Sequence, residues 1–564
     1  MRVAPSTTTD PPQAPYAYDF IVVGSGFGGS VSALRLTQKG YRVLVIERGR
    51  RFRDEEFPHT NWDIRKYLWL PIARCFGILE ISLFRDLLVL HGSGVGGGSL
   101  GYSNVLVEPD EGLYEAPEWR KLQDWRVVLQ PHFATARAML GAAQNPLLTL
   151  SDQAVEAVAN GLGVGGTFRP TQVGVFFGAE GVEVADPYFA GDGPRRAGCT
   201  HCGACMVGCR LNAKNTLVKN YLYFAEKWGA ELQAEATVER VQPLPQGEAD
   251  GARYMVQVVS TTDWPSRRRW QVRARNVVFS AGVVDTHRLL IRGRDEDRTL
   301  TALSQRAGEQ VRSNSEALLG ATTRDRSKDM TRGVAIGSVF QADPVTAIEP
   351  FHYPAGSSLM YRLLGAPMLD GGARGVRRLG QIAWHIGRHP LEFVASKLEP
   401  GWGRRTVGLL VMQTKENRIT LKSGRDWSTL FRRGLVSERD RTRPIPAEIA
   451  IGHQVARALA DQIDGVALGN VMEGLLDAPI TAHPLGGCPM GTSADDGVVD
   501  KNCRVFNYPG LYIIDGSIVP ANPGINPSLT ITALAEYAMS KIPPRSGRTG
   551  HEAPTVRFTH HLGR

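Results

Sequence analysis

The stretch from Tyr18 to Arg48, YDFIVVGSGFGGSVSALRLTQKGYRVLVIER, admits few folds. It reads as strand, glycine turn, helix and strand, with an acid at the end of the second strand. Phe20 to Val23 is short, apolar and β-rich, as a buried parallel strand should be. Gly24, Gly26 and Gly29 form G-x-G-x-x-G. In such a turn the first glycine permits the sharp reversal, the second lets backbone approach a pyrophosphate, and the third lets helix and strand pack closely. The pyrophosphate would sit at a helix N-terminus, where free N–H groups and the helix dipole favour negative charge. The second strand, Tyr41 to Ile46, delivers Glu47 toward the adenosine ribose hydroxyls, at the roughly 20-residue spacing of a dinucleotide fingerprint. The expected fold class is α/β, α+β overall, with a Rossmann-like domain at its front.

At 564 residues the chain can form more than one domain. Its net charge of +9 comes from arginines spread along the sequence, and no zinc-finger, RNA-binding or basic-helix signature accompanies it, so no nucleic-acid partner is expected. Attraction to an anionic membrane surface remains open. Residues 1–17 are polar and proline-rich and read as a flexible tail, without the apolar core of a secretory signal. The most apolar stretch, Tyr67 to Leu90, is interrupted by Arg74, Glu80, Arg85 and Asp86, so a transmembrane span is not expected. It reads equally as an apolar lid over a pocket, a patch resting on lipid, or a pair of core helices. Seven cysteines, four of them within eleven residues, do not make a secreted disulfide framework, and a reducing cytoplasm is the expected compartment.

Nucleotide-type patterning recurs along the chain. A second glycine-rich loop follows at His91 to Asn104, Asn276 to Arg292 again reads as strand, Ala-Gly turn and helix, and residues 480–542 return to strand-turn-helix. One discontinuous cofactor domain is expected from 18–50, 88–125, 210–315 and 465–545. A substrate domain with lid and cysteine loop is expected from 51–87, 126–209 and 316–464, and a mobile tail from 546–564.

Three C-terminal pieces carry residues suited to chemistry. Ala482-His483-Pro484-Leu485-Gly486-Gly487 is followed by the buried-strand pattern Leu511 to Ile514 ending in Asp515-Gly516, then by Asn522-Pro523-Gly524-Ile525-Asn526-Pro527, which enters the helix Ser528 to Ile542. Histidine titrates near neutrality and can accept an alcohol proton. Asparagine can orient a substrate oxygen or donate to a flavin edge.

These motifs, in this order from about residue 18 to 542, resemble the glucose–methanol–choline flavoprotein oxidoreductases, and more narrowly the bacterial cholesterol oxidases that hold FAD non-covalently. The resemblance implies an FAD-binding Rossmann-like domain and a substrate domain with a large sheet over the isoalloxazine ring. It implies that Gly24, Gly26 and Gly29 meet the pyrophosphate and Glu47 the ribose. Gly94, Gly96, Gly97, Gly98 and Ser99 would lie against pyrophosphate and flavin, Val238 would contact adenine, and Ala281 and Gly282 would line the adenosine side. Asp515 and Gly516 would hold the ribityl chain, with Asn526 and Pro527 at the flavin edge. His483 would face the substrate hydroxyl. Glu349, five residues before a Pro-Ala-Gly, falls where such enzymes place an acid, and would shuttle a proton between sterol ring carbons. The implied reaction is hydride transfer from a secondary alcohol, a sterol such as cholesterol, to the flavin, with oxygen or another acceptor taking the electrons.

The cysteine run is the departure from that pattern. Cys199, Cys202, Cys205 and Cys209 have the C-x2-C-x2-C-x3-C spacing of a bacterial ferredoxin, but Arg210 stands where such runs carry proline and there is no second run. An iron–sulfur cluster, zinc and a plain reduced or disulfide-paired loop all remain open. A cluster would favour a dehydrogenase using an acceptor other than oxygen. A flavin-binding membrane-surface module without catalysis is the third alternative.

Overall fold

The computed structural model describes residues 18–557 except 247, 249, 369–375, 389, 400, 447 and 477; the expected flexible tail at 1–17 lies outside the described residues. Two seven-stranded sheets organise the chain.

In the first sheet, Tyr18–Val23 lies between Val43–Ile46 and Arg269–Phe279 and runs parallel to both. All six of its residues are buried, which accounts for its unbroken apolar character. Glu231–Gln233 extends one edge, and Leu511–Ile513 pairs in parallel with the end of Arg269–Phe279. Ala236–Pro243 and Tyr254–Ser260 add an antiparallel meander to the first half of that long strand. Distant segments are locked together by side chains as well as by the ladder. Arg35, on the helix Phe27–Gln38, makes a paired contact with Glu536 on the helix Ser528–Ser540 at 2.7 and 2.8 Å, and the Tyr221 hydroxyl donates to the same carboxylate at 2.7 Å. Both charges are largely buried, so loss of either partner would leave an uncompensated ion in the core.

The second sheet is antiparallel, in the order Gly365–Pro367, Gly465–Asn470, Ala317–Thr323, Thr406–Gln413, Thr346–Phe351, Ser338–Asp343, Arg169–Pro170. Its strands alternate as period two requires. Leu319, Leu409, Val411 and Ile348 pack with Val455, Ala456 and Leu459 of the helix Ala450–Gln462. Leu318, Leu410 and Phe351 line a cavity instead.

Two local expectations are corrected. The stretch 67–90 is not a helix pair: apart from the last residue of a short helix, Ile64–Tyr67, it forms the hairpins Trp69–Leu70/Cys75–Phe76 and Leu79–Leu83/Leu88–Gly92. The interrupting charges explain this. Glu80 sits in an edge strand where it reaches the Arg48 guanidinium, a partner supplied by the nucleotide-type sheet. The described part of the C-terminal tail is also not loose. His551 N–H donates to the Gln38 carbonyl at 2.8 Å, the His551 ring stacks on Trp228 at 5.0 Å, and Arg557 N–H donates to the Tyr188 carbonyl at 2.8 Å. No helix among the described residues is long and apolar enough to cross a membrane.

Candidate active site

One cavity of about 460 Å³ joins the two sheets. Its lining includes Gly24, Gly26, Glu47, Gly97, Gly98, Val238, Ala281, Gly282, Asp515 and Gly516 of the nucleotide-type part, together with His483, Asn526 and Pro527. Residues some 500 positions apart in sequence therefore share one space.

The front turn is shaped as a cradle. The helix Phe27–Gln38 begins at Gly26 with no side-chain cap and no acid in its first turn, leaving its amide groups to an anion. A Cβ built on Gly26 would meet nothing within 4 Å, because the position faces the cavity. Gly29 is different: it is not part of the cavity wall, and a Cβ there would stand 2.0 Å from the Gly24 carbonyl, so its task is close packing of helix on strand. The Glu47 carboxylate accepts from Ser25 N–H (3.1 Å), Ser25 Oγ (2.7 Å) and Gly49 N–H (2.9 Å), which fixes it in the wall. Gly94, Gly96 and Ser99 likewise stand behind the cavity surface. Gly94 and Gly96 take left-handed φ values of 121° and 105°, and Ser99 Oγ ties the loop by donating to Gly96 O (2.7 Å) and accepting from Leu217 N–H (3.1 Å). Asp515 accepts from Gly282 N–H (3.0 Å) and Thr286 Oγ1 (2.6 Å), holding the start of the helix Gly282–Asp295 against the strand end.

In the same cavity, His483 Nδ1 bonds the buried carboxylate of Glu316. An ionised carboxylate only accepts, so Nδ1 carries the proton and Nε2 is left as a base. Glu316 is fully buried and also accepts from Thr481 Oγ1 (2.7 Å) and Ala482 N–H (2.8 Å), so its orientation is over-determined. Sequence reasoning missed this residue. It lies in the polar run Ser313-Asn314-Ser315-Glu316 before an apolar strand, with no motif spacing to His483, and only the buried acid at a strand entry could have marked it.

Glu349 does not reach the cavity wall, but it lies two residues before Phe351 on the same strand and so shares its inward face. It is fully buried and neither oxygen makes a hydrogen bond of normal geometry, although the Asn526 amide lies close to it. Burial pushes its pKa up to about 8; the nearby Asn526 amide opposes this and the Glu316 carboxylate adds to it. Asn526 is itself buried with Oδ1 unpartnered, an acceptor aimed at a group the protein does not supply. Because the folded state keeps a proton on Glu349 that the unfolded chain releases, stability should fall as pH rises from the ordinary carboxylate range to about 8. Thermal unfolding across that window checks this: Glu349→Gln should flatten the decline.

Much of the rest of the lining is apolar, with Tyr67, Ile78, Leu318, Tyr353, Met360 and Leu364 among it, while Arg48, His91, Asp285 and Arg288 add charged groups. In this structure the four run cysteines do not bring three sulfurs together at zinc-ligand spacing. A zinc tetrahedron with bonds of about 2.3 Å needs sulfurs roughly 3.8 Å apart, whereas among the described residues the one acid, histidine or cysteine trio with ligating atoms within 4.8 Å is Glu80, His91 and Asp285. That trio already surrounds the Arg48 guanidinium, which pairs with both acids.

Comparison with known proteins finds relatives along nearly the whole chain. Two family profiles described as GMC oxidoreductase match residues 18–294 and 415–535. The chain is 45% identical over 547 residues to a cholesterol oxidase of Mycobacterium tuberculosis, covering 95% of this chain and 93% of that protein. It is 41% identical over 535 residues to a cholesterol oxidase of Acinetobacter baumannii, covering 94% and 95%. Among solved structures, pyridoxine 4-oxidase from Mesorbium loti shares the fold, with a TM-score of 0.58 at 17% identity over 93% of this chain and 99% of that one.

Proposed function

The chain belongs to the GMC oxidoreductase family, FAD-dependent enzymes acting on CH–OH donors, and from that premise we propose that it oxidises the 3-hydroxyl of a sterol to a ketone with FAD held non-covalently. The observation that carries the reading is His483, oriented by Glu316, opening with Asn526 into the same largely apolar cavity as the glycine turns. The names of the relatives that match over nearly the whole chain support a sterol in particular. Leu100 and Gly101, which follow the second glycine loop, offer no nucleophile for a covalent flavin bond.

FAD, when bound, supplies the acceptor for the carbinol hydride. Gly26, Gly97 and Gly98 would receive its pyrophosphate side, Glu47 and Val238 its adenosine, and Asn526 and Pro527 the edge of its ring. His483 takes the hydroxyl proton at Nε2 while Glu316 retains the proton on Nδ1. Asn526 Oδ1, without a partner in the protein, would accept from the substrate or the ring edge. The apolar walls keep water from the reacting carbon and strengthen each of these contacts. Glu349, on the inward face it shares with Phe351, would act as its carboxylate. It would take a proton from one sterol ring carbon and return it to another, moving the double bond into conjugation with the new ketone, and the burial that pushes its pKa up to about 8 makes it the stronger base. Oxygen or another electron acceptor is the proposed destination of the electrons. Ile72, 93% exposed on the turn of the Trp69–Phe76 hairpin, and Leu70 beside it would rest on the lipid surface from which such a substrate must come.

Incubation with cholesterol in air tests the reading through its product. The wild-type protein should yield the conjugated enone, seen by its ultraviolet absorbance, whereas Glu349→Gln should accumulate the unconjugated ketone. Turnover of small primary alcohols with no consumption of any 3-hydroxysterol would overturn the substrate assignment.

A further inference from the structure

The cysteine run is not used in the alcohol chemistry proposed above, yet it borders the same cavity, whose lining includes Met206 between Cys205 and Cys209. None of its cysteines is in a disulfide. The loop turns through left-handed positions at His201, Gly203 and Gly208, and it gathers Cys199, Cys205 and Cys209 into one apolar cluster with Val173, Val175, Ala213 and Val334. Backbone N–H groups already point at sulfur: His201 donates to Cys199 Sγ and Ala213 to Cys209 Sγ, each at 3.4 Å. The other three thiols all lie within electrostatic reach of Cys199.

A second observation is independent of the motif. Two cations, Arg196 and Lys214, are buried beside this loop, 2% and 1% exposed. Lys214 Nζ donates to the carbonyls of Leu100, Tyr102 and Cys205 at 2.9, 2.8 and 2.8 Å. Arg196 donates to the carbonyls of Asn212 and Ala213 and to Asn215 Oδ1. Every one of these acceptors is neutral. The nearest acids to Arg196 are engaged elsewhere: Asp54 pairs with Lys219, and Asp186 accepts from the N–H groups of Tyr188, Phe189, Gly191 and Gly193. Among the described residues no carboxylate pairs with either side chain; Arg196 lies over the Tyr188 ring and Lys214 over the Tyr102 ring, so both N–H-bearing heads are held beside the loop where an anion would find them. The groups placed to supply it are Cys205 and Cys209.

We propose that Cys199, Cys202, Cys205 and Cys209 ligate a four-iron iron–sulfur cluster whose negative charge is balanced by Lys214 and Arg196. Metal-bound thiols are deprotonated, so the ligated cluster is an anion. A cluster with one iron under each thiolate holds its sulfurs further apart than a single ion does, which reconciles the ferredoxin spacing with sulfurs too dispersed for zinc. The location is specific. Met206, adjacent to Cys205, lines the flavin cavity, and Lys214 links the Cys205 carbonyl to those of Leu100 and Tyr102 at the flavin loop. The site is independent of which alcohol is oxidised.

The test is iron and acid-labile sulfide analysis of flavin-replete protein prepared anaerobically, as isolated and after incubation with ferrous iron and sulfide, followed by electron paramagnetic resonance of the dithionite-reduced sample. About four irons and four sulfides per flavin are expected, with a reduced-cluster signal. Cys202→Ser, at the exposed corner of the loop, should lose most of the iron and sulfide while its bound flavin shows that the chain still folds. Flavin-replete wild-type protein that holds no iron after reconstitution, that takes zinc instead, or whose iron is unaffected by Cys202→Ser would overturn the proposal.

Discussion

Replacing His483 with asparagine slows anaerobic flavin reduction by the alcohol about 10²- to 10⁴-fold, the usual worth of a positioned general base. The substitution is close in size, so FAD binding should survive. What is lost is the acceptor at Nε2 for the hydroxyl proton, and without it the hydride must leave a neutral alcohol. Stopped-flow mixing with excess substrate reads the step directly. Unchanged reduction would remove His483 from the chemistry and would favour a flavin-binding module with no catalytic task.

Glu316→Gln should lower kcat roughly 10- to 100-fold with little change in KM, since a hydrogen bond to a charged group is worth about 1.5–3 kcal/mol and each 1.4 kcal/mol is a factor of ten. The carboxylate receives three donors, from Thr481, Ala482 and His483. A glutamine must turn its own NH2 toward one of them, and the imidazole loses either its tautomer or its aim. Because Glu316 acts through His483 and touches no substrate, the loss belongs in kcat. An effect confined to KM would mean that Glu316 shapes the pocket instead.

The sequence made the nucleotide-type sheet legible because its constraints are local. Tyr18 to Glu47 carries strand, turn, helix and acid within thirty residues, and Asn276 to Arg292 repeats the pattern closely enough to be read as strand, turn and helix. His483 and Asn526 stood out for the same reason, each embedded in its own Pro-Gly context. Glu316 did not, because its partnership with His483 spans 167 residues and exists only once the strand Ala317–Thr323 takes its place in the second sheet. The hairpins of 69–92 were obscured by charges whose partners lie far off in sequence, Glu80 against Arg48 and Asp86 against Arg439. The burial of Lys214 is equally invisible in sequence, since lysine ordinarily signals surface.

The central claim is that an alcohol delivers its hydride to FAD in the cavity shared by Gly26, His483 and Asn526. Anaerobic mixing of the yellow, flavin-loaded protein with a 3-hydroxysterol tests it most directly. Rapid bleaching of the flavin, with one ketone formed per flavin reduced, is the predicted result. A protein that folds yet binds no FAD, or one whose colour persists with every sterol and simple alcohol offered, would contradict it.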